Sequence, residues 1–325
     1  MLEIIRRKSV RSGADGFSNH GDMVSLGRRR NHLLTGNWIG YVYLAPALLF
    51  LLAVMGFPIL FSIYISFQNY TLETLISGKM VFVGLQNYRA IFQMPTFWTA
   101  LGHSAVFTVV SIFFQFTLGL IIALLFVRSF PFSNTMRGLM LSGWQIPSVV
   151  TGTIFLWIFN MDYGVFNRIL MFLNLIHEPI GWLVQGNTAL IAVILTNIWL
   201  GIPFNVIILT AGITGLPEDV YEAATVDGAS YFQQLTDITI PLLKSTILAV
   251  LMLGFIYTLR VFDIIWIMTR GGPADATEVL PTFAYRLSLV HFDFGQSAAV
   301  ATVILLILFV AAFFYAKNAA LENMN

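Results

Sequence analysis

Six long stretches of apolar residues, separated by shorter polar segments, set the pattern of this chain. The stretches run over residues 38–67, 100–126, 138–159, 188–213, 247–268 and 296–314. A bilayer core about 30 Å thick requires about 20 apolar residues in a helix, and these stretches reach that length. Isolated strands would leave backbone groups unpaired in lipid, so helices are the expected structure. The pattern therefore predicts an all-α polytopic membrane protein with six transmembrane helices. Pro46, Pro58, Pro147 and Pro203 lie within or near these stretches, where proline is expected to kink a helix without breaking it.

The composition agrees with this class and excludes several kinds of chemistry. Apolar residues make up 58% of the chain and charged residues only 10%, whereas soluble domains contain about 25% charged residues. The absence of cysteine excludes disulfides, thiolate metal sites and a cysteine nucleophile. The five histidines are scattered along the sequence without metal-ligand spacing, so no metal site is predicted.

A polar, basic segment precedes the first apolar stretch. Its positive charges favour a cytoplasmic amino terminus, and six crossings return the carboxyl terminus to the same side. We expect residues 1–37 to form a flexible cytoplasmic tail that does not bind nucleic acid, because no folded basic module is present. Residues 38–325 then form the transmembrane domain. The basic residues of the tail are Arg6, Arg7, Lys8, Arg11, Arg28, Arg29 and Arg30.

The longest polar interruption on the predicted inner side lies within residues 214–241. Pro217 suits the first turn of a helix, and Glu218 and Asp219 suit its positive amino end. Gly228 permits a sharp change of direction. A second short helix is expected to continue to about residue 238 and to stop near Pro241. The segment is therefore predicted to form two short helices, joined at Gly228, along the membrane surface.

The residues of this segment resemble the EAA signature of binding-protein-dependent ABC importer permeases. The pattern is EAA, three residues, Gly, about nine residues and I-x-L-P, and Ile240 stands here where leucine is usual. In that family the EAA loop is a coupling helix that docks on the ATP-binding subunit. The resemblance implies this role for Glu222, Ala223, Ala224, Asp227, Gly228, Ala229 and Pro241.

Within this family, the chain resembles carbohydrate-class permeases of the maltose, lactose and glycerol-phosphate type. Those transporters contain a pair of different permeases, and the chain resembles the partner that carries the GGP loop, here Gly271-Gly272-Pro273. The resemblance implies a second, different permease subunit, two ATP-binding subunits and an extracytoplasmic solute-binding protein. Residues outside the coupling segment carry it: Asn87, Tyr88, Phe97, Trp98, Pro147, Trp157, Phe159, Asn160, Gly164, Asn167, Trp199, Pro203, Phe204, Arg260, Phe262, Asp263, Thr269, Arg270, Gly271, Gly272, Pro273 and Thr277.

No phosphate-binding loop ending in Gly-Lys-Ser/Thr is present in the sequence. Gly78-Lys79 is followed by Met80, and Lys244-Ser245 is preceded by Leu243. We therefore expect a non-catalytic subunit without its own cofactor, with ATP and Mg bound by the partner ATPase. The expected location is the plasma (inner) membrane of a bacterium or archaeon.

Polar residues inside the apolar stretches are candidates for a substrate pathway. Arg260 and Asp263 lie three residues apart in the fifth stretch, so they are expected to share a helix face. They form either an ion pair that fixes helix packing or a gate or pathway pair. Sugars are bound by planar hydrogen-bonding groups and aromatic faces. The other pathway candidates are Gln145, Trp157, Asn160, Asn197, Asn205 and Tyr257, while Trp144 and Trp199 also offer aromatic faces.

Two outer loops are candidates for contact with the solute-binding protein. Gly271-Gly272-Pro273 is a turn signal in the predicted outer loop 269–295. Asn87 and Tyr88 belong to the loop before the second stretch. The simplest role of both loops is to turn the chain, and docking of the binding protein is the functional hypothesis.

Two other kinds of transporter and one kind of enzyme compete with this interpretation. Amino-acid and peptide permeases share the EAA loop but lack the GGP ending of the fifth stretch. An ion-coupled secondary transporter needs ion ligands within its spans, where Asp263 is the one acidic residue clearly placed. An intramembrane enzyme needs a catalytic pair on facing helices, and the positions of the histidines and acids suggest none.

Overall fold

A computed structural model describes residues 38–128 and 130–322. The predicted basic tail, residues 1–37, lies outside the described residues. The chain divides into two units, one ending at Ile59 and one beginning at Leu60. The helices are α1 (Trp38–Leu51), α2 (Phe57–Ser66), α3 (Leu72–Ser77), α4 (Gln86–Gln93), α5 (Pro95–Val127), α6 (Ser133–Trp144), α7 (Ser148–Ile158), α8 (Val165–Phe172), α9 (Gly186–Thr214), α10 (Glu218–Val226), α11 (Tyr231–Gln233), α12 (Ile240–Leu242), α13 (Lys244–Leu259), α14 (Asp263–Met268), α15 (Leu280–Tyr285) and α16 (Phe294–Glu322).

Shorter elements complete the chain. Strands β1 (Gln68–Asn69) and β2 (Val81–Phe82) pair antiparallel, with Gln68 opposite Phe82. Within the described part of the chain, three π-helical turns join or extend helices, and they cover Leu52–Gly56, Gln234–Thr239 and Arg286–Val290.

Among the described residues, five helical segments are long and apolar enough to cross a membrane: Gly40–Ser66, Pro95–Val127, Gly186–Thr214, Lys244–Met268 and Phe294–Ala319. A sixth span is found when α6 and α7, which are bent by 98° relative to each other, count as one. The predicted all-α membrane fold is therefore confirmed, and the sixth span is broken between α6 and α7.

The break between α6 and α7 corrects the prediction that prolines only kink these helices. Pro147 has an extended conformation, with φ −57° and ψ 140°, and α7 begins at the next residue, Ser148. Proline removes a backbone donor and disfavours helical geometry at Ile146 before it. Pro46 and Pro203, in contrast, lie inside continuous helices.

A second break interrupts the predicted span 247–268. Helix α13 ends at Leu259 and α14 begins at Asp263, with a non-helical connection between them. The prediction that Arg260 and Asp263 share one helix face is therefore wrong. No glycine or proline marks this break; the Phe262 ring instead packs against Tyr285, at 4.8 Å between centroids, so tertiary packing accompanies the interruption.

Helices α5 and α9 pack closely because each presents a small residue to the other. A β-carbon at Gly119 of α5 would lie 2.5 Å from the β-carbon of Asn205. A β-carbon at Gly201 of α9 would collide with the side chain of Gln115. Small residues allow such close approach between membrane helices. This packing places Gln115 beside α9.

Candidate functional site

A cavity of about 560 Å³ lies where the two broken spans meet α5 and α9. Four of the eight pathway candidates line it: Asn197, Tyr257, Arg260 and Asp263. Both breaks contribute to its wall, because the ends of α6 and α13 and the starts of α7 and α14 face it. Its volume falls within the range of roughly 300–1,000 Å³ that is typical of small-molecule sites.

The wall formed by α5 and α9 carries two buried amides. Gln115 Nε2 donates a hydrogen bond to the backbone oxygen of Asn197 at 2.8 Å. The two side chains are 4% and 3% exposed. Asn197 Nδ2 has no hydrogen-bond partner among the described residues. A buried donor without a partner is rare in folded proteins, so this amide is suited to a polar ligand group.

Another part of the wall carries charge. Ser148 Oγ donates a hydrogen bond to Asp263 Oδ2 at 2.7 Å and thereby joins the first residue of α7 to the first residue of α14. No ion pair joins Arg260 and Asp263 among the described residues, so the interpretation of a local pair is not supported. Both side chains are exposed along the cavity.

Aromatic rings form a third part of the wall. The rings of Trp144 and Phe204 lie 6.0 Å apart between centroids, and Phe204 packs edge-on against Tyr257 at 5.8 Å. Trp144 and Tyr257 remain about half exposed. The cavity therefore combines aromatic faces with amide, hydroxyl, carboxylate and guanidinium groups.

The other four pathway candidates lie outside this cavity. Gln145 is exposed in the connection after α6, and Trp157 is exposed on α7. Asn160 Oδ1 accepts hydrogen bonds from the backbone nitrogens of Asp162 and Tyr163, which makes it a turn residue. Asn205 Nδ2 donates to the backbone oxygen of Gly201 at 2.9 Å.

The candidate coupling segment has the helix–Gly–helix form that the sequence predicts. Helix α10 ends before Gly228, whose φ of +79° is a conformation that favours glycine. Ser230 then caps the next helical turn together with Gln233. We call α10 the first arm and the helical run from α11 through α12 the second arm.

The second arm ends one residue after Pro241, close to the predicted end. Helical geometry continues to Leu242, with Pro241 inside α12 and the π-helical turn Gln234–Thr239 directly before it. A π-helical turn changes the backbone pairing, so the missing donor of Pro241 is tolerated there. The arm leads directly towards α13.

Side chains bind the two arms to each other. The Tyr221 hydroxyl lies 2.9 Å from the Thr239 hydroxyl, and Gln234 Nε2 donates to Thr225 Oγ1 at 3.2 Å. Glu222, Ala223, Asp227 and Gly228 are exposed, Ala224 and Ala229 are half-buried, and the apolar side chains of Val226 and Phe232 are also exposed. The segment is thus internally tied, and Ala223 and Gly228 give it small exposed residues.

A family model for "binding-protein-dependent transport system inner membrane component" matches residues 115–321. This region contains Gln115, both breaks and the coupling segment. The chain belongs to this family. The permease is therefore related by sequence as well as by fold to importer subunits.

Individual relatives agree with the family. The trehalose/maltose transport system permease protein MalF of Thermococcus litoralis is 32% identical over 272 residues, 83% of this chain and 90% of that protein. The sulfoquinovosyl glycerol transport system permease protein SmoG of Agrobacterium fabrum is 34% identical over 265 residues, 82% and 85% of the two chains. The resemblance to carbohydrate permeases is confirmed.

Solved structures establish the fold of the permease. A chain of a bacterial alginate ABC transporter, in complex with an alginate pentasaccharide-bound periplasmic protein, matches with a TM-score of 0.73 at 22% identity, covering 88% of this chain and 96% of that one. A chain of the MetNI methionine ABC transporter matches with a TM-score of 0.52 at 16% identity, covering 69% and 96%.

The GGP loop of the permease is held by an internal network. Gly271 has φ +84°, and Thr277 Oγ1 donates to the backbone oxygen of Gly272 at 2.8 Å before the Gly272–Pro273 bond. Arg286 pairs with Asp275 at 2.8 Å and also with the fully buried Glu278. These contacts give the loop one defined shape.

In the other candidate docking loop, the side chains of Asn87 and Tyr88 form hydrogen bonds within the chain. Asn87 Nδ2 donates to the backbone oxygens of Ser66 and Gln68 at 2.9 and 2.8 Å. The Tyr88 hydroxyl lies 2.7 Å from Ser66 Oγ. Asn87 and Tyr88 therefore shape the loop, and a partner would meet the surface around them.

Proposed function

We propose that this permease is one half of the transmembrane pathway of an ATP-driven importer for sugars or related glycosides. The cavity at the two helix breaks is the observation that carries the proposal. Relatives at about one-third identity are named as permeases for trehalose/maltose, sulfoquinovosyl glycerol and, in Bacillus subtilis, galactooligosaccharides, and this supports the sugar class.

The lining of the cavity suits a carbohydrate. A sugar ring has an apolar face and a rim of hydroxyl groups, so it needs both an aromatic surface and hydrogen-bonding groups. Trp144 and Tyr257 offer the surface, and Asn197 Nδ2 offers a donor that is already desolvated. Asp263 accepts from hydroxyl groups, and Arg260 donates to them.

The coupling segment is proposed to receive movement from a separate ATPase. The small, exposed surface of α10 allows the backbone of another protein to approach closely, and the bonds between the two arms make the segment move as one body. In this proposal ATP and Mg bind two ATPase subunits, a second, different permease completes the pathway, and a solute-binding protein docks at the GGP loop and the loop around Asn87. The amino and carboxyl termini and the coupling segment face the cytoplasm.

The rival functions have no observation of their own in their favour. An amino-acid or peptide importer would share the fold, as the methionine transporter does. An ion-coupled transporter would require ion ligands, and no cluster of three or more metal-ligating side chains occurs among the described residues. Transport measurements that vary the solute and the energy source therefore distinguish the sugar importer from these alternatives.

The test is sugar uptake into proteoliposomes that contain the permease, its partner permease and the ATPase. Trehalose, maltose, a galactooligosaccharide and sulfoquinovosyl glycerol are presented with the solute-binding protein, and each is assayed with ATP, without ATP, and with an ion gradient alone. We expect uptake of at least one sugar with ATP only. Uptake driven by the ion gradient, or uptake of amino acids but of no sugar, would overturn the proposal.

A further inference from the structure

The coupling segment touches the transmembrane helices at a further place besides its covalent continuations into α9 and α13. The guanidinium carbon of Arg128 lies 4.5 Å from the centroid of the Tyr231 ring, which is a cation–π contact. Arg128 is the C-cap of α5, and Tyr231 is the first residue of the second arm. The contact therefore joins the coupling segment to the end of α5.

Movement of the first arm reaches this contact through hydrogen bonds. Thr225 of α10 accepts a bond from Gln234, and Tyr221 of α10 bonds to Thr239. Gln234 and Thr239 bound the π-helical turn that continues the helix of Tyr231. Displacement of α10 by a partner must therefore shift Tyr231 or break these bonds.

Helix α5 leads from Arg128 to the cavity. Gln115 precedes Arg128 by 13 residues, which corresponds to about 20 Å of helix. Farther along the same helix, Ser104 Oγ accepts a hydrogen bond from the backbone nitrogen of Leu280, directly after the GGP loop. One continuous helix thus connects the coupling segment, the cavity wall and the loop on the opposite side.

We propose that Arg128 is a positioning residue that holds Tyr231 and so transmits movement of the coupling segment through α5 to the Gln115 wall of the cavity. This inference rests on the proposed function, because a route is needed only if an ATPase acts on α10. The planar guanidinium suits the contact, since it stacks on an aromatic ring over a broad area. The route runs parallel to the two covalent ones, from α10 back into α9 and through Leu243 into α13.

The experiment uses the natural absence of cysteine. Leu125→Cys on α5 and Asp237→Cys on the second arm introduce two exposed labelling sites. Spin labels on both sites are measured by pulsed EPR in the whole transporter, with cysteine-free partner subunits, first without nucleotide and then trapped with ATP and vanadate. With the native contact, we expect one label-to-label distance that is the same in both states.

Variants of the contact give the decisive comparison. Tyr231→Leu and Arg128→Gln are expected to make the distance differ between the two states and to lower the binding-protein-stimulated ATPase rate several-fold. Tyr231→Phe keeps the ring and is expected to restore both properties. Phe232→Leu removes the neighbouring exposed aromatic ring and serves as the matched control, with native distances expected.

Two results would overturn the inference. The first is an unchanged distance in both states for Tyr231→Leu and Arg128→Gln. The second is a Tyr231→Phe variant that behaves like Tyr231→Leu, because the ring alone makes the contact. Failure of the proposed function would give a different result: no ATPase would co-purify with the permease, and vanadate would trap no nucleotide. That result would overturn the proposed function together with the role of Arg128.

Discussion

The buried amide of Asn197 allows binding and stability to be separated at one residue. Asn197→Leu removes a donor that has no partner among the described residues, so thermal stability is not expected to fall. The same change removes the proposed hydrogen bond to sugar, worth about 1 kcal/mol, so we expect the uptake rate to fall about fivefold. Uptake by proteoliposomes at saturating binding protein and thermal unfolding in detergent measure the two effects.

Asn160→Asp is the control for this prediction, because it keeps the side-chain oxygen that accepts the two turn hydrogen bonds outside the cavity. Its uptake is expected to equal that of the native permease. A loss of stability without a loss of uptake in Asn197→Leu would assign Asn197 to packing instead.

The raised pKa of Asp293 predicts that the stability of the permease depends on pH. Burial raises the pKa of Asp293 above its ordinary value of 3.8, although the backbone nitrogens of Gln296 and Gly295 donate hydrogen bonds that oppose the shift. The folded state therefore disfavours the ionised carboxylate. This cost is absent below the unfolded pKa and is present in full once the pH exceeds the raised pKa.

Asp293→Asn is therefore expected to raise the unfolding temperature at neutral pH and to leave it unchanged at acidic pH. Asparagine still caps α16, because it accepts the hydrogen bond from Gln296 as aspartate does. Thermal unfolding across this pH range is the measurement, with the exposed Asp162→Asn as the control. An equal gain at both pH values would contradict the assignment to ionisation.

Single residues also show how far sequence predicts the cavity. Polar side chains inside apolar stretches single out Asn197, Tyr257 and Asp263, and these three residues line the cavity. The same signal marks Asn205, whose amide instead bonds to its own helix. Gln115 is also a polar residue inside an apolar stretch, although it is not one of the predicted pathway residues. Polarity identifies a residue that needs a partner, whereas only packing decides whether the partner is backbone or cavity.

At the scale of helices, the close packing of α5 and α9 gives the clearest prediction. Gly119→Ala would place a methyl group 2.5 Å from the β-carbon of Asn205, so one of the two helices must move. Such overpacking costs about 1–3 kcal/mol, and thermal unfolding should show this loss. Gly102→Ala on the same helix meets no atom within 4 Å and is the matched control. Equal stability of the two variants would exclude close packing at Gly119.

The two helix breaks differ in how well the sequence predicts them. Pro147 marks the first, because proline removes a helix donor, although its effect is a 98° bend and not the expected kink. The connection between Leu259 and Asp263 contains no such signal. Its Phe262 ring contacts Tyr285 from a distant part of the chain. A break that depends on distant packing cannot be read from local sequence.

At the scale of the whole permease, the proposed function requires that the coupling segment and the GGP loop lie on opposite sides of the membrane. Helix α5 separates them, since Arg128 at one end contacts Tyr231 and Ser104 towards the other end bonds to Leu280. The direction of this axis relative to the cell rests on the positive charges of residues 1–37. Orientation is therefore the property most open to a direct test.

Single cysteines supply that test, because the native chain has none. Ala223→Cys on α10 and Glu178→Cys in the connection between α8 and α9 are both exposed. We expect a membrane-impermeant maleimide to label Glu178→Cys in intact cells and Ala223→Cys only in inverted vesicles. A photoactivatable cross-linker at Ala223→Cys should also capture the ATPase, and the same reagent at Glu178→Cys should not. Labelling of Ala223→Cys in intact cells would place the coupling segment outside, where no ATP-hydrolysing partner can reach it.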